Sequence, residues 1–118
     1  RNRFTSSGNL WNYPKTARQT SGTFSANTWH HIAVTMKSNS AGTRFDRMTV
    51  YQNGNLKQQW TGINQDPTQS GRTNFWGAFS GSSEFGRFYL GMHRRYNVEL
   101  TSEEVEHNFN LEKTQYGY

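Results

Sequence analysis

The chain has no cysteine among its 118 residues, which excludes disulfide bridges, thiol catalysis and thiolate metal sites. No apolar run approaches the roughly 20 residues that a membrane-spanning helix needs. Aliphatic side chains are scarce too, because only 31% of the residues are hydrophobic even with tyrosine counted. Large rings supply much of what remains: eight Phe, six Tyr and four Trp. This composition favours a few strands joined by aromatic contacts over a multilayered α/β core.

Acidic residues are fewer than basic ones, eight against thirteen, which gives a formal net charge of +5. The cations are scattered along the chain, and only Arg94 and Arg95 are adjacent. Such a diffuse charge argues against nucleic-acid binding, for which clustered cations are typical. It favours attraction to an anionic surface, a glycan or a neighbouring subunit.

Two segments with alternating apolar side chains carry the strongest structural signal. They are 29–35 (WHHIAVT) and 48–54 (MTVYQNG), and the second ends in Asn-Gly. Because Asn and Gly tolerate positive φ angles, this dipeptide is typical of a tight hairpin. The pattern predicts antiparallel strands over 29–37, 47–53 and 55–60.

Weaker patterns predict further strands in a polar, turn-rich setting. One or two short strands lie at 8–13 and 20–25, another strand lies at 73–79, and 85–96 is the longest strand of the chain. In the last of these the buried face would hold Phe88, Leu90, Met92 and Tyr96.

The segment 101–104 (TSEE) predicts the start of a helix. Its threonine hydroxyl and the glutamate three residues later form a capping box, which satisfies two backbone N–H groups at the helix start. Val105 and Phe109 are four residues apart and therefore share the face that docks on the sheet. We expect a short helix that ends near Leu111.

The order of these segments resembles that of laminin-G-like, concanavalin A-like jelly-roll domains. In that family a W-H-H/x-I-A-V-T strand precedes an L-Y-V-N-G strand, as 29–35 precedes 48–54 here. The family ending F-x-G-x-I-x-x-V-R-I-Y-N-R-A-L-T/S-x-E-E-I is similar to 85–91 together with 94–105. The tail 108–117 resembles N-F-N-A-x-K-x-R-Y-G, which also occurs in bacteriophage and large-virus structural proteins.

This resemblance implies an all-β fold, an antiparallel jelly-roll sandwich with a short C-terminal helix. A single domain would span 1–118, with an irregular part at 1–28, the sandwich at 29–100, and the helix and tail at 101–118. Family domains usually have several strands before the WHHIAVT element, and only 28 residues precede it here. The sandwich is therefore either incomplete at its N-terminus or completed by another segment. Because the first residue is arginine and not methionine, we expect a processed product or a fragment.

The acidic and histidine residues give little support for catalysis or metal binding. Glucanases of this fold carry an E-x-D-x-x-E strand, and that spacing does not occur here, so we expect no catalytic residues. His30 and His31 are adjacent in a strand, point to opposite faces and cannot easily chelate one ion, so we expect no metal site there and no required cofactor. Calcium, which laminin-G-like modules bind, remains an alternative, with Asp46 and Asp66 as loop carboxylates.

Carbohydrate binding fits the composition better, because sugar rings stack on exposed aromatic rings. The candidate residues are Trp60, Trp11, Tyr51 and Trp76. The alternative for each ring is a place in the core. Trp60 is the first choice for exposure, since it ends a strand before the loop that contains Gly62.

We therefore expect a non-catalytic binding or structural module. The tail favours a virion surface component, such as a capsid decoration, appendage or tail-fibre domain, which also engages glycans. Its partners would be other virion or surface subunits, on a virion or an extracellular surface. The alternative is a lectin-like carbohydrate-binding adhesion module of a secreted bacterial protein, and an enzyme fragment ranks third.

The shortage of aliphatic residues predicts low stability for the isolated 118 residues, with one face covered by another chain or by a further part of the same polypeptide. We expect thermal unfolding at or below the lower end of the ordinary mesophile range, about 45 °C, as measured by circular dichroism. A cooperative transition well above that range would contradict this expectation.

Overall fold

The computed structural model describes residues 2–4, 10–12, 18–20, 22–64 and 89–117. Its elements are β1 (Asn2–Phe4), β2 (Leu10–Asn12), β3 (Arg18–Gln19), β4 (Ile32–Ser38), β5 (Phe45–Gln52), β6 (Asn55–Trp60) and α1 (Ser102–Tyr116). In the described residues the strands form two three-stranded antiparallel sheets, β1-β2-β3 and β4-β5-β6. Antiparallel sheets followed by a C-terminal helix match the order of elements expected from the sequence.

The first sheet confirms one N-terminal strand and corrects another. β2 lies within the strand predicted at 8–13, and its Trp11 pairs with Gln19 of β3. The strand predicted at 20–25 is wrong, because β3 ends at Gln19 and the described residues that follow lie outside any strand. Gly22 has a φ of 68°, a left-handed conformation that interrupts extended backbone.

The second sheet confirms the three strands on which the fold prediction depends. Val34 pairs with Val50, and Met48 pairs with Trp60. The observed boundaries differ from the predicted ones by three residues at most. A bulge between Val50 and Tyr51 shifts the register of β6 against β5.

The Asn53-Gly54 turn joins β5 to β6 as predicted, with φ angles of 50° and 79°. Asn53 also ends the pairing of β4 with β5. The backbone N–H of His31 donates to Asn53 Oδ1 (3.0 Å), and the N–H of Asn53 donates to the His31 carbonyl (2.8 Å). Because a side chain takes part in this closing pair, the regular strand β4 begins at Ile32 and not at residue 29.

One face of the second sheet carries a small apolar core. Phe24 and Val50 are buried, and three partly buried side chains pack against them: Ile32, Val34 and Trp60. We refer to these five residues as the Phe24 cluster. Their common side follows from the alternation of side chains along paired strands.

Helix α1 packs on the opposite face. Thr101 caps it, with the Glu104 N–H donating to the threonine hydroxyl (3.2 Å) and the Thr101 N–H donating to Glu104 Oε2 (2.8 Å). Val105 is fully buried, and the Phe109 ring centroid lies 5.8 Å from that of His31. The capping box and the docking face were both predicted correctly.

The helix is longer than predicted, because it continues past Leu111 to Tyr116. The five added residues include neither glycine nor proline, and the stop comes from Gly117, which has a φ of 69°. Its N–H donates to the Lys113 carbonyl (3.0 Å), as in a left-handed C-cap. The last turn also has a tertiary contact, since the rings of Tyr116 and Trp29 lie 5.0 Å apart.

The long strand predicted at 85–96 is wrong for its described part, because 89–96 contains no strand. The expected buried face is exposed where the structure describes it: Leu90 is 51% exposed, Met92 46% and Tyr96 45%. The rest of that prediction, 85–88, and the strand predicted at 73–79 lie outside the described residues.

This segment lies along α1 and does not join a sheet within the described residues. Three contacts follow one another in antiparallel order: Gly91 with the ring of Tyr116, Arg94 with Glu112, and Tyr96 with Asn108. The side chains between these contacts are exposed, so the alternating apolar pattern does not produce a buried face.

We expect that Gly54 does not tolerate a side chain, because both its backbone conformation and the space beside it require glycine. Its φ is positive, and an ideal Cβ would lie 3.0 Å from Phe109 Cδ1 and 3.4 Å from Glu106 Cα. Gly54→Ala should therefore lower the free energy of unfolding in urea by more than about 1 kcal/mol. Gly42→Ala is the matched control, with a φ of 67° but nothing within 4 Å of the added carbon. Equal losses in the two variants would argue against the helix contact.

Candidate functional site

The structure describes the rings of two of the four aromatic residues predicted to stack on sugars. Tyr51 is only 7% exposed, which favours the core alternative stated for it. Trp60 is half-buried and packs against Phe24 and Val50 as a member of the Phe24 cluster. Trp11 belongs to β2, and Trp76 lies outside the described residues. Strand alternation places Tyr51 and Trp60 on opposite faces, so these two do not form one site.

His30 lies on the Phe24 side of the sheet in a chain of hydrogen bonds. Its Nε2 donates to the Ser25 carbonyl (2.8 Å), so its Nδ1 accepts from the Gln52 amide (3.2 Å). Gln52 Oε1 in turn accepts from Lys57 Nζ (2.7 Å), which lies 4.3 Å from the Phe24 ring centroid. Each polar group at the border of the apolar cluster thus has a partner, and the arrangement is structural.

His31 points to the other side of the sheet, toward α1, as the alternation predicted. Its Nδ1 is buried and has no hydrogen-bond partner among the described residues. Burial lowers the pKa of His31, the Glu112 carboxylate partly opposes this by raising it, and Arg94 lowers it again. The imidazole is therefore mainly neutral at neutral pH. Because His30 and His31 lie on opposite faces of the second sheet, they are not placed to chelate one ion.

Two ion pairs connect the C-terminal region to its surroundings. Arg94 pairs with Glu112, which is buried, and Arg47 Nη2 lies 3.0 Å from Glu99 Oε1. A carboxylate removed from water needs such a partner, because an unpaired buried charge is costly. Glu112 thus connects α1 to the segment 89–96, and Glu99 connects the residues before α1 to β5.

No three histidine, aspartate or glutamate side chains in the described part of the chain are placed to hold a metal ion. Asp46, one of the two carboxylates considered for calcium, is exposed, and Asp66 lies outside the described residues. Over the same ranges, no helix has the length and apolar character needed to cross a membrane.

A groove of about 330 Å³ opens beside the first half of α1. We call it the α1 groove, and its lining residues are Tyr96, Leu100, Glu103, Glu104, His107 and Asn108. Tyr96 is 45% exposed, and its hydroxyl accepts a hydrogen bond from Asn108 Nδ2 (3.2 Å). The groove thus combines an accessible ring with carboxylates, an imidazole and an amide.

Sequence reasoning missed the α1 groove because it placed Tyr96 on the buried face of a strand. The contact between Tyr96 and Asn108 spans twelve residues, and no local periodicity connects the two positions. The only available signal was their closeness to the capping sequence, which fixes where the helix begins.

The described residues thus form antiparallel sheets, with a capped C-terminal helix docked on one face of the second sheet. The family model described as the concanavalin A-like lectin/glucanases superfamily (Laminin_G_3) matches residues 2–106. The chain therefore belongs to this family, and the family prediction is confirmed.

The fold is also similar to a crystal structure of an S-layer domain-containing protein (residues 221–444) from Clostridium thermocellum. The TM-score is 0.59 at 13% sequence identity, and the match covers 92% of this chain but 61% of that one. The chain thus spans less than two thirds of the length of that structure. No curated protein sequence matches the chain.

His31 is expected to make stability depend on pH. Because its folded-state pKa lies below the ordinary value of 6.5, the unfolded chain binds a proton at a higher pH than the folded one does. The contribution of His31 to the free energy of unfolding should be fully present above about pH 6.5. It should decrease as the pH falls through that value. Urea denaturation between about pH 7.5 and 5.5 measures this.

The matched variants separate this titration from that of other groups. His31→Asn should flatten the pH profile, whereas His107→Asn, at an exposed position, should leave its slope in place. An unchanged slope in His31→Asn would contradict the assignment.

Proposed function

We propose that this domain is a non-catalytic carbohydrate-binding module of a bacterial cell-surface protein. The family match over residues 2–106 carries the proposal, because lectins and glucanases both bind glycans. The jelly-roll sandwich, completed around the β4-β5-β6 sheet by further segments, would be the fold of this module.

The roles of the described carboxylates support a non-catalytic module. Glycoside hydrolysis requires two acids held on either side of a glycosidic bond. Here Glu99 and Glu112 form ion pairs, and Glu104 accepts from the Thr101 N–H as part of the helix cap. The E-x-D-x-x-E strand of glucanases with this fold is also absent from the sequence.

The structural neighbour bears on location and partners. It is described as an S-layer domain-containing protein of a bacterium, which supports an adhesion module at a cell surface, with other surface proteins as partners. The virion role suggested by the tail sequence has no comparable support. Trp60, Trp11 and Trp76 remain proposed sugar contacts, whereas the burial of Tyr51 favours its core role.

A glycan array probed with the labelled 118-residue chain tests the function. We expect saturable binding to at least one glycan, competed by the same glycan in solution, with no release of reducing ends. Trp60→Ala should weaken this binding if Trp60 contacts sugar, while Leu56→Ala, exposed on the same strand, should not. Absence of binding across the array, combined with incorporation into a symmetric particle, would favour the structural alternative.

A further inference from the structure

We propose that the α1 groove is a binding site for a neutral sugar residue and that Tyr96 is its stacking platform. This inference rests on the proposed glycan-binding function and adds a site and a ligand class to it. The site is separate from Trp60, which belongs to the Phe24 cluster on the opposite face of the sheet, whereas Tyr96 contacts α1.

The shape of the groove and its apolar surface fit a small ring-shaped ligand. Ligand sites are typically clefts of about 300–1,000 Å³ with mainly apolar linings and a few polar groups, and this groove has a volume of about 330 Å³. Leu100 is half-buried, and the Tyr96 ring is 45% exposed. A pyranose ring has an apolar C–H face that stacks on such an aromatic surface.

The hydrogen-bonding groups that line the groove suit a ligand with hydroxyl groups. Because the Tyr96 oxygen already accepts from Asn108 Nδ2 (3.2 Å), its own hydrogen is available to point outward and donate to a ligand. Glu104 is fixed by its bond from the Thr101 N–H. Its second carboxylate oxygen, together with the exposed Glu103 and His107, offers further partners for hydroxyl groups.

The charge of the groove sets the ligand class. The pKa of Glu103 is lowered by hydrogen bonds from its own backbone N–H and from the Thr101 and Ser102 hydroxyls. The Glu103 carboxylate therefore stays ionised at neutral pH. Two carboxylates outweigh the partial positive charge of about +0.5 at a helix N-terminus. The groove is therefore negative on a chain whose net charge is +5, and it disfavours uronic acids and other acidic sugars.

A basic peptide is the other occupant compatible with a negative groove. The structure favours a sugar because the outward Tyr96 hydroxyl donor finds acceptors on a sugar and none on a lysine ammonium group. The family match to lectins and glucanases points the same way. A lysine-rich peptide is accordingly one arm of the test.

Titration calorimetry of the 118-residue chain with defined oligosaccharides tests the proposal. The neutral probes are cellohexaose, mannohexaose and chitohexaose, the acidic probe is hexagalacturonate, and the peptide probe is hexalysine. We expect at least one neutral probe to bind, with hexagalacturonate and hexalysine weaker. On ¹H–¹⁵N spectra the Asn108 side-chain amide should shift on addition of the neutral sugar.

Variants locate the site. Tyr96→Ala should weaken neutral-sugar binding about tenfold or more, and Tyr96→Phe should have a smaller effect because it keeps the ring. Tyr89→Ala is the matched control, since Tyr89 is 90% exposed and does not line the groove. Circular dichroism of each variant verifies that α1 is retained. Glu103→Gln removes one negative charge and should therefore reduce the difference in affinity between the neutral and the acidic probes.

Each of the remaining outcomes would reject a different part of the proposal. Neutral-sugar binding that Tyr96→Ala leaves unchanged, with no shift at Asn108, would reject the α1 groove while the glycan-binding function stands. Stronger binding of hexagalacturonate or hexalysine in the groove would reject the ligand class. Binding of no glycan here or on the array would reject the proposed function itself.

Discussion

The Asn53-Gly54 turn is the constraint on which the arrangement of the second sheet and the helix depends. It sets the pairing of β5 with β6, and Asn53 closes the open end of β4 through two hydrogen bonds with His31. Gly54 then allows the Phe109 ring to approach the turn at van der Waals distance. A local hairpin costs little loop-closure entropy, so one inexpensive turn fixes the register of three strands and the docking position of a helix.

The contact between α1 and the sheet is unusually polar for a domain with so little aliphatic material. His31, Arg94 and Glu112 are brought together there, and Val105 is a fully buried side chain that the helix contributes. Charges placed in such a setting stabilise little by themselves, because desolvation offsets their attraction. They do make the interface specific, since removal of one partner would leave the other buried and unpaired. These charges therefore fix the position of the helix on the sheet and add little to its stability.

The sequence predicted those parts of the fold that depend on local chemistry. Alternation identified β4, β5 and β6, the Asn-Gly dipeptide identified the turn, and the capping box identified the start of α1. The strand prediction was wrong over 89–96, because alternation reports only that one side of a segment is apolar. It does not report whether a partner strand is present, and residues 91–96 lie along the helix. The α1 groove was missed for the same reason, since it exists only when Tyr96 is beside Asn108.

The groove therefore depends on contacts that lie outside it. Tyr96 and Leu100 belong to one wall, and Glu103, His107 and Asn108 belong to the other. The Arg94–Glu112 pair joins the two walls two residues before Tyr96 and four residues after Asn108. A site between two separate segments is preorganised only if such supporting contacts keep its walls at a fixed spacing. In a chain with a small apolar core, the Arg94–Glu112 ion pair provides that support beside the groove, and the Tyr96–Asn108 hydrogen bond provides it within the groove.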